Sequence, residues 1–213
     1  MVSLKEELGV FVQQMSENVP QEVLETMGAE IGKLAESGIM NTVLKVGDKV
    51  PGFELQDSAG TIVSLNSLAE KSDLVISFNR GNWCPFCNIE LKHIQKHTSE
   101  IKSSGANLVV ISPQLPEKSA EIISQNEFDY PILFDKGNEV AKQFGIAFAL
   151  TESLRSIHKA FEMDIPAHNG DESFELPVPA TFVVNSNNEI VFASVNPNWM
   201  ERTESKEYLT ELK

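Results

Sequence analysis

The sequence predicts an α/β chain: a central, partly parallel sheet flanked by helices, with a helical hairpin in front of it. Three observations carry that prediction. LVISF (74–78) and NLVVIS (107–112) are continuous apolar, β-branched runs, the texture of strands buried on both faces. Segments with helical spacing of apolar residues follow such runs, so strands and helices alternate, as in an α/β layer. The first 40 residues show helical periodicity alone.

Taken in order, Ser3 and Glu6 match a capping box, and Leu4, Leu8, Phe11, Val12 and Met15 then fall on one helical face. Pro20 suits the first turn of a second helix, with Leu24, Met27, Ile31 and Leu34 as its stripe and Gly38 at its end. A hairpin of this kind has two uses: packing on its own domain, or a homodimer contact. GFEL and TIVSL read as short strands around the turn DSAG, and Ser64 or Ser67 caps a short helix. After LVISF comes a loop, then a long helix with Leu91, Ile94 and Ile101 as its inner face. NLVVIS is followed by a helix around AEIISQNE, a strand PILFD (131–135) and a helix NEVAKQFG (138–145) closed by Gly145. ATFVVN and IVFASV form a hairpin around SNNE, and residues 199–212 read as a final helix. The stretch 146–177 breaks the rhythm and reads as an inserted loop of the lid or partner-surface kind.

Size and charge bound the function. The 213 residues suit an N-terminal extension, 1–42, on one domain, 43–213. A formal charge of −14 excludes nucleic acid and anionic membrane as partners, since both require basic surface. No run of 18 apolar residues occurs, and MVSLKEELGVFVQQ has the scattered charge of a cytoplasmic protein rather than a signal peptide. Cytoplasmic thiols stay reduced, so cysteines set close together there point to catalysis or metal binding rather than a structural staple.

Both cysteines of the chain sit in RGNWCPFCNIEL, residues 80–91. The loop follows a buried strand and opens a helix near Cys84 and Pro85, where unpaired N–H groups and the helix dipole favour a thiolate. Such settings lower a cysteine pKa from about 8.5 to roughly 3.5–7.5. Arg80, Lys92, His93, Lys96 and His97 add positive charge in one window of an acidic chain. Two thiols separated by two residues can close and open a disulfide, one attacking and the other resolving. Two blander readings compete. Both thiols can be buried and inert, although a loop at a helix start is ordinarily accessible. Cys84, Cys87, His93 and His97 also spell a paper zinc site, but the gap from Cys87 to His93 is too short for the usual finger, so no metal and no cofactor are expected, and both histidines read as solvated. Val178-Pro179, just before ATFVV, is a candidate cis-proline, with a trans-proline at a strand start as its alternative.

VGDKVPGFELQDSAGTIVSL, LVISFNRGNWCPFCNIEL, LVVISPQ, PILFDKGNEVAKQFGI and LPVPATFVVNSNNEIVFA together resemble the peroxiredoxin-like branch of the alkyl hydroperoxide reductase/thiol-specific antioxidant (AhpC/TSA) superfamily, over about residues 45–212. The resemblance implies a thioredoxin-like fold. Laid on the superfamily's P-x-x-x-T-x-x-C loop, Cys87 takes the peroxidatic position, Glu90 that of a glutamate found three residues on, Cys84 that of the threonine and Arg80 that of the proline. Pro179 stands where a late arginine is expected; Arg80 and Arg202 are the candidates to replace it. Trp83-Cys84-Pro85-Phe86-Cys87 is similar instead to the thioredoxin and glutaredoxin motif, which makes Cys84 the exposed nucleophile, Cys87 the resolving thiol, and Pro179 the cis-proline facing them.

The resemblance therefore implies a thiol-dependent peroxidase acting on hydrogen peroxide or organic hydroperoxides, recycled by thioredoxin, glutaredoxin or glutathione. Two alternatives stand beside it: a thiol–disulfide oxidoreductase acting on disulfide substrates, and a non-enzymatic redox sensor or binding module. Arg80, Trp83, Cys84, Cys87 and Pro179 are the site residues expected on any enzymatic reading.

Overall fold

The computed structural model describes residues 2–212. The buried apolar runs form the middle of the sheet. LVISF is β3 (Leu74–Phe78) and NLVVIS is β4 (Asn107–Ser112); they pair in parallel, with Leu74 opposite Asn107 and Phe78 opposite Ile111. β5 (Ile132–Phe134) continues the parallel set beyond β4. β1 (Glu54–Asp57) and β2 (Ile62–Ser64) form the hairpin around DSAG and add to β5 antiparallel. On the other side β8 (Ala180–Val184) lies antiparallel to β3, and β9 (Ile190–Val195) closes the edge. The seven strands run in the order β2-β1-β5-β4-β3-β8-β9.

Alternate residues of the central strands feed two cores. Leu74, Ile76 and Phe78 join Phe144 and Phe182 on one face, with α3 (Leu65–Ala69) and α6 (Glu139–Gln143). Val75, Val110 and Val183 meet Leu91, Ile94 and Ile101 of α4 (Pro85–Ser103) on the other, with α5 (Pro116–Asn126) and α9 (Ser205–Leu209). Ser64 caps α3 through a reciprocal bond with Ser67.

α1 (Leu4–Asn18) and α2 (Gln21–Glu36) fold back on the body of the chain. Leu4 and Leu8 are buried against Cys84, Phe86 and Cys87, and Phe11 meets Phe86 edge-on at 5.1 Å. Glu7 pins α1 to α4 through His93 Nε2 at 2.6 Å. Val12, expected on the inner face, is instead exposed: only positions 4, 8, 11 and 15 share the stripe that meets α4. Buried Glu30 of α2 accepts from the hydroxyls of Thr151 and Ser153 at 2.8 and 2.9 Å. The chain leaving the hairpin crosses Gly145, whose φ is +71° and where a Cβ would sit 1.9 Å from the Thr42 carbonyl oxygen, so no larger residue fits.

The structure also differs from expectation in the later part of the chain. Residues 146–177 are ordered elements rather than a plain loop: β6 (Ala147–Ala149), α7 (Glu152–Ala160), α8 (Ile165–Asn169) and β7 (Glu175–Pro177), with β6 and β7 paired antiparallel. The C-terminal helix is confined to α9, and residues 196–204 run as irregular chain. No cis peptide bond occurs among the described residues, so Val178-Pro179 is trans. Val178 N–H donates to the Ile146 carbonyl at 2.8 Å, and Pro179 immediately precedes β8, where a missing N–H removes no rung of the ladder.

Candidate active site

The parallel pairing of β3 with β4 and its antiparallel pairing with β8 deliver the cysteine loop to the end of β3, beside the chain that enters β8. Asn79 Oδ1 accepts from Gly81 N–H and Gln114 Oε1 from Asn82 N–H, both at 2.7 Å. Gly81 has φ +138°, and a Cβ there would lie 2.4 Å from Trp83 Nε1; glycine lets the indole fold over the loop. Cys84 is the N-cap of α4 and Pro85 occupies its first turn, where no N–H is needed.

Both cysteines are free thiols and both are buried, Cys84 at 1% exposure and Cys87 at 0%. This corrects the expectation of an exposed Cys84: α1 lies across the loop and shields it. The surroundings are not plain hydrocarbon, however. Burial opposes ionisation of Cys84, but the Cys87 thiol, the Arg80 and Arg202 cations and the Cys87 amide overcome it and bring the pKa down to about 6. Burial and the hydrogen bond to Cys84 push the Cys87 thiol up. These surroundings favour the thiolate on Cys84 over that on Cys87, which is left as the proton-bearing neighbour.

Arg80 is 2% exposed and sets Nη1 4.0 Å from Cys84 Sγ. Its guanidinium lies over the rings of Trp83 and Trp199, 5.0 and 5.3 Å from their centroids. Its Nη2 is 3.5 Å from Nε2 of His158, on α7. His158 Nδ1 sits 2.7 Å from the Leu154 carbonyl and donates to it, which leaves Nε2 as a bare acceptor for Arg80. Burial and the Arg80 charge hold His158 neutral, with a pKa lowered to about 4. Arg80 has no carboxylate partner among the described residues, so its charge is available to the sulfur.

A second arginine approaches from the irregular chain before α9. Arg202 donates from Nη2 to Cys87 Sγ at 3.2 Å and from Nε to Glu90 Oε2 at 2.6 Å. Burial lifts the Glu90 carboxyl to about 7, with the Arg202 charge working against that rise. Pro179 lines a small recess with Glu90 and Arg202, beside this second pair rather than facing Cys84 as a cis-proline would. His93, read as solvated, is buried and bound to Glu7, while His97 pairs with Glu100 at 3.2 Å.

Sequence reasoning placed Arg80, Trp83, Cys84 and Cys87 in one loop but missed His158, Trp199 and the contact of Glu90 with Arg202. Arg202 stood only as a candidate replacement. An ionisable residue in an otherwise acidic, irregular stretch after a β-hairpin was its one signal; His158 sits at an apolar-periodic position of α7 and gave none.

A free dithiol at the mouth of a helix, reached from the interior strand β3 of a mixed sheet, defines a class: a thiol-dependent oxidoreductase of thioredoxin-like fold. The AhpC/TSA family model matches residues 46–193. A Mycobacterium tuberculosis (strain H37Rv) protein that carries a peroxiredoxin name is 33% identical over 116 residues, 54% of this chain and 75% of that protein. Thiol-disulfide oxidoreductase ResA of Halalkalibacterium halodurans is 27% identical over 118 residues, 55% of this chain and 66% of its own. The crystal structure of peroxidoxin BcpB from Mycobacterium tuberculosis superposes with a TM-score of 0.61 at 25% identity, covering 79% of this chain and 92% of that one. The chain belongs to the AhpC/TSA family, and it is an enzyme of the thiol-dependent oxidoreductase kind.

Proposed function

We propose that the chain is a thiol-dependent peroxidase in which Cys84 attacks and Cys87 resolves. The single observation that carries the order of attack is the pairing of charge. Arg80, with no carboxylate to neutralise it, faces Cys84, whereas Arg202 is already engaged by Glu90 at 2.6 Å. Cys84 also lines a cavity of about 200 Å³ that Cys87 does not line. The Cys84 thiolate attacks the terminal oxygen of a hydroperoxide; an S–O bond forms, the O–O bond breaks, and the leaving alkoxide or hydroxide takes up a proton to leave as alcohol or water. Arg80 stabilises the charge developing on the departing oxygen. Cys87 then attacks the sulfenic acid, water leaves, and the disulfide that results is opened by two equivalents of an external thiol. Thioredoxin, glutaredoxin and glutathione are the donor classes for that step, and the cytoplasm is the compartment that keeps such donors reduced.

The likeness to ResA favours a second reading, disulfide exchange with the same Cys84 as nucleophile. Its 1% exposure supports a small oxidant over a protein disulfide, because a disulfide partner must bring its own sulfur within bonding distance.

Cys84→Ser and Cys87→Ser, treated with one equivalent of peroxide and then dimedone, test the assignment. The expected result is sulfenic acid trapped on Cys84 in the Cys87→Ser protein and no fast oxidation of Cys84→Ser. Rapid trapping on Cys87 in the Cys84→Ser protein would reverse the roles. A wild-type rate with peroxide no faster than that of a free cysteine thiolate, beside rapid reduction of glutathione disulfide, would replace the peroxidase with the second reading.

A further inference from the structure

Arg80 is a buried cation with few polar anchors. Its Nε meets no acceptor among the described residues, and its Nη1 makes only a long contact, 4.0 Å, with Cys84 Sγ. The rings of Trp83 and Trp199 flank the guanidinium, but a ring face attracts the charge without choosing which nitrogen points where. That leaves Nε2 of His158, 3.5 Å from Nη2, as the one nitrogen or oxygen acceptor the guanidinium meets among the described residues. His158 is itself held firmly. Its Nδ1 is engaged by the Leu154 carbonyl at 2.7 Å, and its ring meets that of Trp83 edge-on at 5.3 Å. The helix that carries it, α7, is capped by Thr151, whose hydroxyl and that of Ser153 both donate to buried Glu30 of α2. Leu154 joins Ile165 and Trp199 in a small core beneath the helix. The imidazole thus sits on a base whose own contacts are fixed, as a group that orients another must.

We infer that His158 is a positioning residue of the site: it accepts the Nη2 hydrogen of Arg80, which turns Nη1 toward Cys84 Sγ, and holding that cation on the sulfur is what α7 does for the reaction. The inference rests on the reading above that Cys84 is the attacking thiol, and it gives the inserted stretch 146–177 a role inside the site. Chemistry decides the residue type. A carboxylate in place of His158 would neutralise Arg80 and draw its charge from the sulfur, as Glu90 does to Arg202. A lysine would repel the guanidinium. An apolar side chain would leave a second guanidinium nitrogen buried without an acceptor, at the full cost of its desolvation. A neutral imidazole with Nε2 free satisfies one donor and leaves the whole positive charge to the thiolate. The other charged or titratable groups nearby are Cys87 and Arg202 beside the sulfur, and Arg155, Lys159, Glu162 and Asp164 along the open groove that His158 also borders. None of them hydrogen-bonds Arg80 among the described residues.

The test is a thiolate titration of the full-length reduced protein by ultraviolet absorbance, beside the pH profile of its rate with hydrogen peroxide. The absorbance arm reads Cys84 whether or not a peroxide is the substrate. Two substitutions separate the acceptor from the ring. His158→Phe keeps a ring against Trp83 and removes Nε2, whereas His158→Gln removes the ring and keeps an acceptor in Oε1. In His158→Phe both midpoints are expected to rise by at least about 0.5 unit, half the smallest shift that a neighbouring charge gives, and His158→Gln is expected to recover most of that rise. The Arg80→Met background completes a cycle: there His158→Phe is expected to move neither midpoint further, because the cation it positions is gone. His158→Leu takes the place of His158→Phe should the phenylalanine variant fold poorly. An unmoved or lowered midpoint in the acceptor-free variant, a larger effect of His158→Gln than of His158→Phe, or an equal rise with and without Arg80 overturns the inference. Cys84→Ser separates that failure from failure of the attacking-thiol reading. If a thiolate still titrates near the wild-type midpoint without Cys84, the assignment of Cys84 falls and the positioning of Arg80 falls with it.

Discussion

At the scale of single residues, the site is a problem in placing two cations and one anion out of water. Arg80 reaches the sulfur without a carboxylate of its own, held between two indoles and a neutral imidazole. Replacing it with methionine keeps most of the volume and removes the charge, so the Cys84 thiolate loses a stabilising partner and its pKa rises. An opposite charge nearby shifts a pKa by about 1–3 units. From about 6 in the wild type, the titration of thiolate ultraviolet absorbance is expected to move up by at least about 1 unit in Arg80→Met, with a matching loss of peroxide reactivity at neutral pH. An unmoved titration would show that Arg80 acts on substrate alone. Arg202 presents the converse case, since removing it strands Glu90, whose side chain is 4% exposed. Breaking a buried pair from one side costs about 3–5 kcal/mol. Glu90 already titrates in the fold at about 7, above its ordinary 4.5, and without Arg202 it titrates higher still. A carboxyl with a raised folded pKa costs stability above the unfolded pKa, and the cost vanishes below it. Arg202→Met should therefore be least stable relative to wild type near pH 8 and close to it near pH 4, as read by urea unfolding at both. A pH-independent deficit would mean that packing, not charge, is what Arg202 supplies.

At the scale of elements, α1 decides who can reach the dithiol. It spans the loop with Leu4, Leu8, Phe11 and Met15 and is fixed at two points, by Glu7 with His93 and by the Lys5 N–H, which donates to Glu204 Oε1 at 2.7 Å. Burying a leucine side chain contributes about 1.5–3 kcal/mol, so one charged substitution on that stripe is enough to loosen a single helix. Leu8→Glu is expected to speed the reaction of the thiols with a bulky aromatic disulfide reagent by about tenfold or more while changing the rate with hydrogen peroxide much less. Equal acceleration with both would show that α1 tunes sulfur chemistry rather than access. The helix itself was legible from the capping box and from the stripe at 4, 8, 11 and 15, but its seat was not, because one helical face says nothing about which surface covers it. The same division runs through the chain. β3 and β4 are read correctly because a strand buried on both faces needs an unbroken apolar run, and Cys84, Pro85 and Cys87 because a helix start has its own chemistry. β6, α8 and β7 are three to five residues long, too short for a period to announce them, whereas α7 does carry a helical stripe, Leu154, Ile157 and His158, behind a Thr151 cap, which the mixed polarity of the stretch around it obscures. Glu90 and Arg202 are 112 residues apart, and only the folded sheet brings them together.

For the whole molecule, the relevant quantity is a net charge of −14 around a site that holds two buried arginine side chains. The two half-reactions meet that field differently. Hydrogen peroxide is neutral, so its approach is indifferent to the surface potential, and oxidation of the dithiol should not change with salt. Glutathione is an anion at neutral pH, and its thiolate, the attacking form, carries more negative charge still. Long-range repulsion by the acidic surface therefore slows reduction of the Cys84–Cys87 disulfide, and salt relieves it: the screening length falls from about 30 Å at 0.01 M to about 8 Å at 0.15 M. Measured over that range, reduction by glutathione, whose attacking thiolate is a net dianion, is expected to accelerate more steeply than reduction by dithiothreitol, whose attacking thiolate is a monoanion, and that difference in slope separates surface charge from any effect of salt on the fold. The competing force is local. If the cations Arg80 and Arg202 draw the anion across the last few ångströms more strongly than the surface repels it, the glutathione rate falls with salt instead. In that case α1 must open far enough for their field to reach solvent, since at the observed burial of both arginines only the acidic exterior meets an approaching donor.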